Sequence, residues 1–523
     1  MSFDMVFPQT QDRLYAQPAG LAFAPRPRLQ WLAFLIPVLL CGMSWMAGGI
    51  PALSDAGFAV LTTLCIFFLI EEFVRFPRRF GIGGILVFGG VLIWFCQDYM
   101  EHYFGKPDIT VSQFAPVVIA KAAYYHCLFI LCMVVGLRIS RGRWVEKLIL
   151  CVPEPSGEAA YIFFVLLLNA VGFSSFFFFT KESFFEALYH GTFEVWTSTP
   201  VEWTVGRTGN LNYNWGGYVA QLIQVGQVGG ILAALVAILV TRRILVKILC
   251  LTLWLYWCFF SYNGGRRGEM GFMVLPAIAF YFIKYQKQVA AAMKRISIRA
   301  YFLAGALGLA LLTVVQVEGT FRGIGLIRAD VSQVNLVQNL GNTMFTEGML
   351  AYALVPDSHP FFHDTIPGQG ALEAIPRQLW LMVIAPIPRA LWTGKPVDEQ
   401  WEWYNQVFTG DMSGRVGTTI STGLVGTWYF NYGFAGVVEG GILVGWLMVI
   451  SERCLRRSLN RPMGIFLSLG FAVWLFRSYR NFQYQDLVEF AIGVFVLWVF
   501  SLAMRPVFGS APADPPNLQV IPI

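Results

Sequence analysis

Charge is what this sequence has least of. Asp, Glu, Lys and Arg make up 13% of its 523 residues, about half the share usual in soluble domains. A water-exposed globular surface is thereby excluded for most of the chain. Cysteine is present but confined: all nine, from Cys41 to Cys454, lie in apolar runs or in links read as cytoplasmic, so a disulfide framework is not expected. The opening stretch MSFDMVFPQTQDRLYAQPAGLAFAPRPRLQ has no basic region leading into an apolar run and a small-residue cleavage site, so no cleaved signal peptide is read there. Ionisable groups inside the apolar runs are few, with Lys121 and His126 in one of them. That scarcity, and the lack of a convincing internal repeat, count against a proton-coupled transporter.

What is there instead is hydrophobicity: 56% of residues are apolar and 16% aromatic. The class expected is an all-α polytopic membrane protein. Runs long enough to cross a bilayer centre on 30–49, 56–74, 81–97, 114–137, 160–180, 217–240, 244–262, 270–285, 299–316, 434–451, 463–477 and 487–504, which makes about 12 spans. The organisation read from them is a segment 1–29, nine spans over 30–316, a large loop over 317–433, three spans over 434–504 and a tail over 505–523. Within the loop, 371–392 is apolar but broken by Pro376, Pro386 and Pro388, and 417–433 is rich in Gly, Thr and Ser. Both read as interfacial or re-entrant pieces.

Alternate links carry the basic residues. Arg75, Arg78 and Arg79, then Arg138, Arg141, Arg143 and Lys147, then Arg242, Arg243 and Lys247 mark one side, and Arg453, Arg456, Arg457 and Arg461 fall on it too. The positive-inside rule makes that side cytoplasmic, with both termini on it. The net charge of +6 then reflects anchoring and not nucleic-acid binding. Links on the other side are richer in acids, among them Asp98, Glu101, Glu182 and Glu186.

Against that pattern, the outer side holds arginines that need a reason. The link SYNGGRRGEMG carries Arg266 and Arg267, and FRSYRNFQYQD carries Arg477 and Arg480. The large outer loop adds Arg322, Arg377, Arg389, Lys395 and Arg415. A guanidinium presents a rigid donor fork that matches phosphate oxygens, and neighbouring glycines let backbone N–H groups approach as well. The set reads as a recognition surface for an anion at the interface, such as a lipid diphosphate. The alternative is that each pairs with a local acid or caps a helix.

Three groups are candidates for a base: Glu347 in the loop's apolar middle, Glu269 directly after the arginine pair, and His363 in DSHPFFHD. Each also has a plain structural reading, as a helix-surface charge, a neutraliser of its neighbouring arginine, or an ordinary imidazole. His359 and His363 stand four apart, as zinc ligands on a helix can, but Pro356, Pro360 and Pro367 argue against a helix and no third ligand is evident, so no metal is expected. Trp401, Trp403 and Tyr404 suit an interfacial belt or stacking on sugar faces.

Three tracts carry a family resemblance: SYNGGRRGEM after a span, APIPRALWTGKP in the outer loop, and GTTISTGLVGTWYFNYGFAGVVEGG leading into a span. Over residues 255–450 the chain resembles the O-antigen polymerase, or oligosaccharide repeat-unit polymerase, family. Pro388, Arg389, Trp392, Lys395 and Pro396 fit one element of its pattern, and Thr427, Tyr429, Asn431, Tyr432, Gly433 and Gly436 another. The resemblance implies a bacterial inner-membrane glycosyltransferase of GT-C-like architecture that works without metal or cofactor. Its substrate would be an undecaprenyl-diphosphate-linked oligosaccharide among the membrane lipids, with a flippase and a chain-length regulator as candidate partners. Outer arginines would bind the diphosphates. The doublet Arg266–Arg267 departs from the single arginine of many relatives, which leaves open which of the two matters. A ligase that moves a finished glycan to another lipid shares these features, and a lipid or polysaccharide transporter is the reading from a different class.

Overall fold

The computed structural model describes residues 28–79, 81–96, 114–139, 141–180, 216–263, 267–285, 423–479 and 484–508, with isolated positions such as Tyr99, Trp392 and Phe482 between them. Among the described residues there is no strand; the chain is a bundle of helices. A 3-10 turn Arg28–Phe34 leads into α1 (Leu35–Met46), followed by α2 (Pro51–Arg79) and α3 (Ile82–Val91). Then come α4 (Pro116–Gly136), the short α5 (Arg143–Ile149), α6 (Gly157–Thr180), α7 (Gly216–Leu235), α8 (Ile244–Asn263) and α9 (Arg267–Lys284). The last three are α10 (Gly423–Ser458), α11 (Pro462–Arg477) and α12 (Tyr484–Phe508). Single π-type turns, Leu92–Cys96 and Val236–Val240, extend α3 and α7.

Five of these helices are long and apolar enough to cross a membrane, within Pro51–Phe73, Pro116–Gly136, Gly157–Ser174, Ile244–Ser261 and Gly423–Ser458. The protein is therefore an all-α, membrane-embedded chain. Six shorter apolar helices lie on other stretches read as spans, and the remaining stretch, 299–316, is outside the described residues. Exposed Leu39, Phe67, Ile70, Leu245 and Leu255 on the helix flanks are what a hydrocarbon solvent accepts and water would not.

Lipid offers no hydrophobic drive between helices, so close packing has to hold them together. The pair α4 and α10 shows how. Gly136, Gly441 and Gly445 line the seam: a Cβ at Gly441 would stand 2.6 Å from the Phe129 carbonyl oxygen, and one at Gly445 would collide with the Met133 carbonyl. Backbones meet there because no side chain intervenes. Gly433 has φ 62° and ψ −148°, a conformation open in practice to glycine alone, and it kinks α10. The boundary read at 433 between a Gly/Thr/Ser-rich piece and a span is this kink. From Gly423 to Tyr432 the chain is helical and buried within the bundle.

Polar side chains inside the bundle close local bonds. Thr427 Oγ1 donates to the Gly423 carbonyl at 2.7 Å and Asn431 Nδ2 to the Thr427 carbonyl at 2.8 Å. Trp257 stacks on Phe173 with ring centroids 5.1 Å apart, and its indole N–H donates to Asn169 Oδ1 at 2.7 Å, tying α6 to α8.

Candidate functional site

The described cations divide between the two ends of the bundle, and the ends differ in kind. At one end α4, α7, α9 and α10 finish and α5, α8 and α11 begin. Here basic residues are plentiful and are met by buried acids. Glu146 on α5, 1% exposed, pairs with Arg453 at 3.5 Å and with Arg457. Arg453 also donates to the Ile139 carbonyl at 2.6 Å, and Trp446 Nε1 to the Arg141 carbonyl at 2.8 Å. Glu452 pairs with Arg456 and accepts the Gly83 N–H at 3.2 Å. The buried carboxylate of Glu72 lies against Gly84 on the same first turn of α3. Two carboxylates thus flank the N-terminus of α3, where the helix dipole favours negative charge.

Glu154, in the link before α6, accepts the Met463 N–H at 2.8 Å. Burial pushes its carboxyl up to about 7, against the pull of that N–H and of Arg461 in the opposite direction. Thr241 donates to Glu158 at 2.6 Å. These contacts join successive links into one ionic layer. It fastens the helix ends to one another.

At the opposite end α10 begins with the buried tract Gly423–Tyr432. Here α11 finishes at Arg477 and α9 begins at Arg267. The Arg477 guanidinium lies over the Phe272 ring at 5.3 Å from its centroid. Phe272 is five residues into α9, about 8 Å along the axis from Arg267. The end of α11 thus meets the first part of α9 through this contact. The turn after α11 is fixed from below. The Leu424 N–H donates to the Tyr479 carbonyl at 2.9 Å, and the Tyr479 hydroxyl reaches the Leu86 and Val87 carbonyls at 3.2 and 3.1 Å. Phe482 packs between Trp428 and Trp474, at 6.1 and 5.7 Å. Arg477 thus precedes a turn that is firmly packed onto the bundle.

Lys121 falls at the same end. Its ammonium lies 5.3 Å from the Tyr429 ring centroid and 5.9 Å from that of Tyr125, and an aromatic group of Trp45, Tyr124 and Phe434 continues around Tyr125. A cation over aromatic faces is stabilised by the ring quadrupoles. His126 points elsewhere: its Nδ1 stands 2.8 Å from the Ala122 carbonyl and its ring meets the edge of Phe95, a structural imidazole.

Of the residues expected to form the site, Arg477 is described in full. Arg267 and Glu269 are placed by backbone only, in the first turn of α9. Arg266, Arg322, Arg377, Arg389, Lys395, Arg415, Arg480, Glu347 and His363 lie outside the described residues. So does the stretch 371–392 apart from a few positions, of which Trp380 and Trp392 meet edge to face at 6.4 Å. Among the described residues no group of His, Cys, Asp or Glu could hold a metal. Reading the sequence missed Phe272 as the platform for Arg477, because an aromatic in a span looks like any core residue. It also missed the burial of Glu146, which sits in a link otherwise rich in charge.

Compared with models of protein families, with curated proteins and with solved structures, the chain matches none.

Proposed function

We propose that this protein is a bacterial inner-membrane glycosyltransferase of about 12 spans and GT-C-like architecture, a polysaccharide polymerase. It would transfer a growing glycan from undecaprenyl diphosphate to a new lipid-linked repeat unit at the periplasmic face. The observation that supports the reading is Arg477 seated on Phe272, five residues into α9, the helix whose first residue is Arg267. The opposite, acid-buttressed basic end would face the cytoplasm, as the positive-inside rule directs.

In the reaction, the bond between the sugar's anomeric carbon and the diphosphate oxygen breaks, and the diphosphate leaves with the electron pair. An acceptor hydroxyl on the incoming unit forms the new glycosidic bond and gives up its proton. Guanidinium groups fixed before the reaction stabilise the charge that grows on the leaving diphosphate. Glu347, Glu269 and His363 are the candidates to accept the proton. A flippase that delivers the repeat unit and a regulator of chain length are the partners such a step calls for.

The test is product length. Arg477→Ala, Arg389→Ala and the double change Arg266→Ala/Arg267→Ala are expected to remove long-chain lipid-linked product while membrane insertion is kept. Ordinary chain-length ladders from all of these variants would refute diphosphate binding by the outer arginines. Transfer of intact chains to a different lipid, without lengthening, would turn the reading to a ligase.

A further inference from the structure

The short helix α5 carries two stripes on its outer side. Val145, Glu146 and Ile149 are buried, with Glu146 turned to the arginines of α10. On the face away from them, Trp144 is 69% and Leu148 50% exposed, one turn apart. Arg143 and Lys147 form a second exposed pair at the same spacing, directly beside the first, and Arg141 is exposed just before the helix.

The height of α5 is set by its contacts. The α4 helix, long enough to cross a membrane, ends at Gly136, where a Cβ would meet the Ile442 carbonyl oxygen and the Trp446 nitrogen of α10. A Cβ at Gly142 would meet the Trp446 ring and Ile450, one turn further along α10, or about 5 Å. Trp446 Nε1 holds the Arg141 carbonyl at the same place. Gly142 has φ 122°, which turns the chain there and lets it close on Trp446. The headgroup layer outside the hydrocarbon core is about 5–8 Å deep on each side, so α5 begins within it. Tryptophan is the residue that favours that layer.

The cations of this face also differ from their neighbours. Arg453 and Arg457 meet Glu146, Arg456 meets Glu452, Arg243 lies near Glu158, and Arg461 near Glu154. Arg141, Arg143 and Lys147 meet no acid among the described residues, and the acid of α5 itself is turned inward and already held. Like charges one turn apart destabilise a helix, so the pair Arg143 and Lys147 is not there for the helix. An anion from outside would answer it.

We propose that α5 is an interfacial helix that binds anionic phospholipid at this end of the bundle. Trp144 and Leu148 enter the edge of the hydrocarbon, and Arg141, Arg143 and Lys147 hold lipid phosphates. A soluble acidic partner would satisfy the cations and leave the apolar stripe in water; a lipid uses both stripes at the height where they stand. Lipid and Glu146 then grip opposite faces of one helix. The inference is independent of the polymerase reading.

The experiment follows trypsin cleavage after Arg141 in the full chain, in nanodiscs of phosphatidylglycerol or of phosphatidylcholine with the same acyl chains. Phosphatidylglycerol is expected to slow cleavage about tenfold. Each surface cation contributes about fivefold to affinity for an anionic membrane, so Arg143→Gln/Lys147→Gln is expected to abolish the difference between the lipids. Trp144→Ser/Leu148→Ser is expected to reduce it. All four side chains are exposed, so neither variant disturbs the packing of α5. Equal cleavage of the parent in both lipids would overturn the proposal, as would slowing that the Arg143→Gln/Lys147→Gln variant keeps in full. Full slowing in Trp144→Ser/Leu148→Ser would overturn the interfacial seating. Protection by poly-glutamate in phosphatidylcholine discs that phosphatidylglycerol does not match would give the face to an acidic protein instead.

Discussion

Replacing Glu146 by Gln tests the ionic layer at the basic end most directly. Glu146 is buried and its two arginines are not equivalent: Arg453 has 15% of its side chain exposed and Arg457 49%. At the 3.5 Å separation from Arg453, and an effective dielectric of about 20, the gross attraction is about 5 kcal/mol. Removing one partner of a buried pair costs about 3–5 kcal/mol when the other charge is stranded. Arg453 is not stranded, because it keeps its bond to the Ile139 carbonyl, and Arg457 can turn to water, where an ion pair is worth about 1 kcal/mol or less. The expected loss is therefore at or below the low end of that range, about 2–3 kcal/mol. It falls on the docking of α5 and not on the whole bundle. The assay is limited trypsin cleavage in detergent, read at Arg141, Arg143 and Lys147, three exposed sites that flank Glu146. Cleavage tracks the population of the undocked form when opening is fast, so 2–3 kcal/mol becomes an increase of roughly 30- to 150-fold. A cleavage rate within about threefold of the parent would mean that Glu146 does not hold α5 down, and the ionic layer would lose its main member.

Gly445→Ala places a methyl on the Met133 carbonyl at the seam of α4 and α10. Since backbone cannot give way as a side chain can, a loss at or above the usual overpacking range of about 1–3 kcal/mol is expected, seen as a lower thermal aggregation temperature in detergent. Parent-like stability would show that the seam is looser than drawn. Glu154 titrates in the opposite sense to most carboxylates. Its folded value, about 7, lies above the ordinary value of 4.5, so the folded state holds the proton more tightly. The stability it contributes is complete below about 4.5 and is lost as pH rises toward about 7. Glu154→Gln is expected to flatten the pH dependence of unfolding across that window and to raise stability at its upper end; an unchanged pH profile would refute this.

How much of this was legible in the sequence varies with the kind of feature. The helices in the described stretches were, because a run of apolar residues long enough for a bilayer has few other uses. The basic links around Arg141 and Arg453 were legible too, and in the structure Arg453 and Arg457 meet Glu146, with Arg461 near Glu154, at one end of the bundle. The tract GTWYFNYG read as a loop piece because glycine, threonine and asparagine are poor helix formers in isolation. Inside the bundle Thr427 and Asn431 bond back to their own helix, and the tract becomes the first third of α10. Of the residues expected to form the site only Arg477 is described in full, and its seat was not legible. No spacing relates Arg477 to Phe272 across some two hundred residues, and nothing in the string places Lys121 against Tyr429.

The sequence by itself determined the class: too little charge for water and enough apolar length for lipid. Only the tertiary structure decided which helices touch. Where Gly441 and Gly445 let two backbones close on each other, and where Ala234 and Ala277 leave a groove between three helices, the outcome depends on the shape of facing surfaces. Packing energy falls off within a fraction of an ångström of contact, so it is settled by partners distant in sequence, whereas hydropathy is a sum over neighbours along the chain.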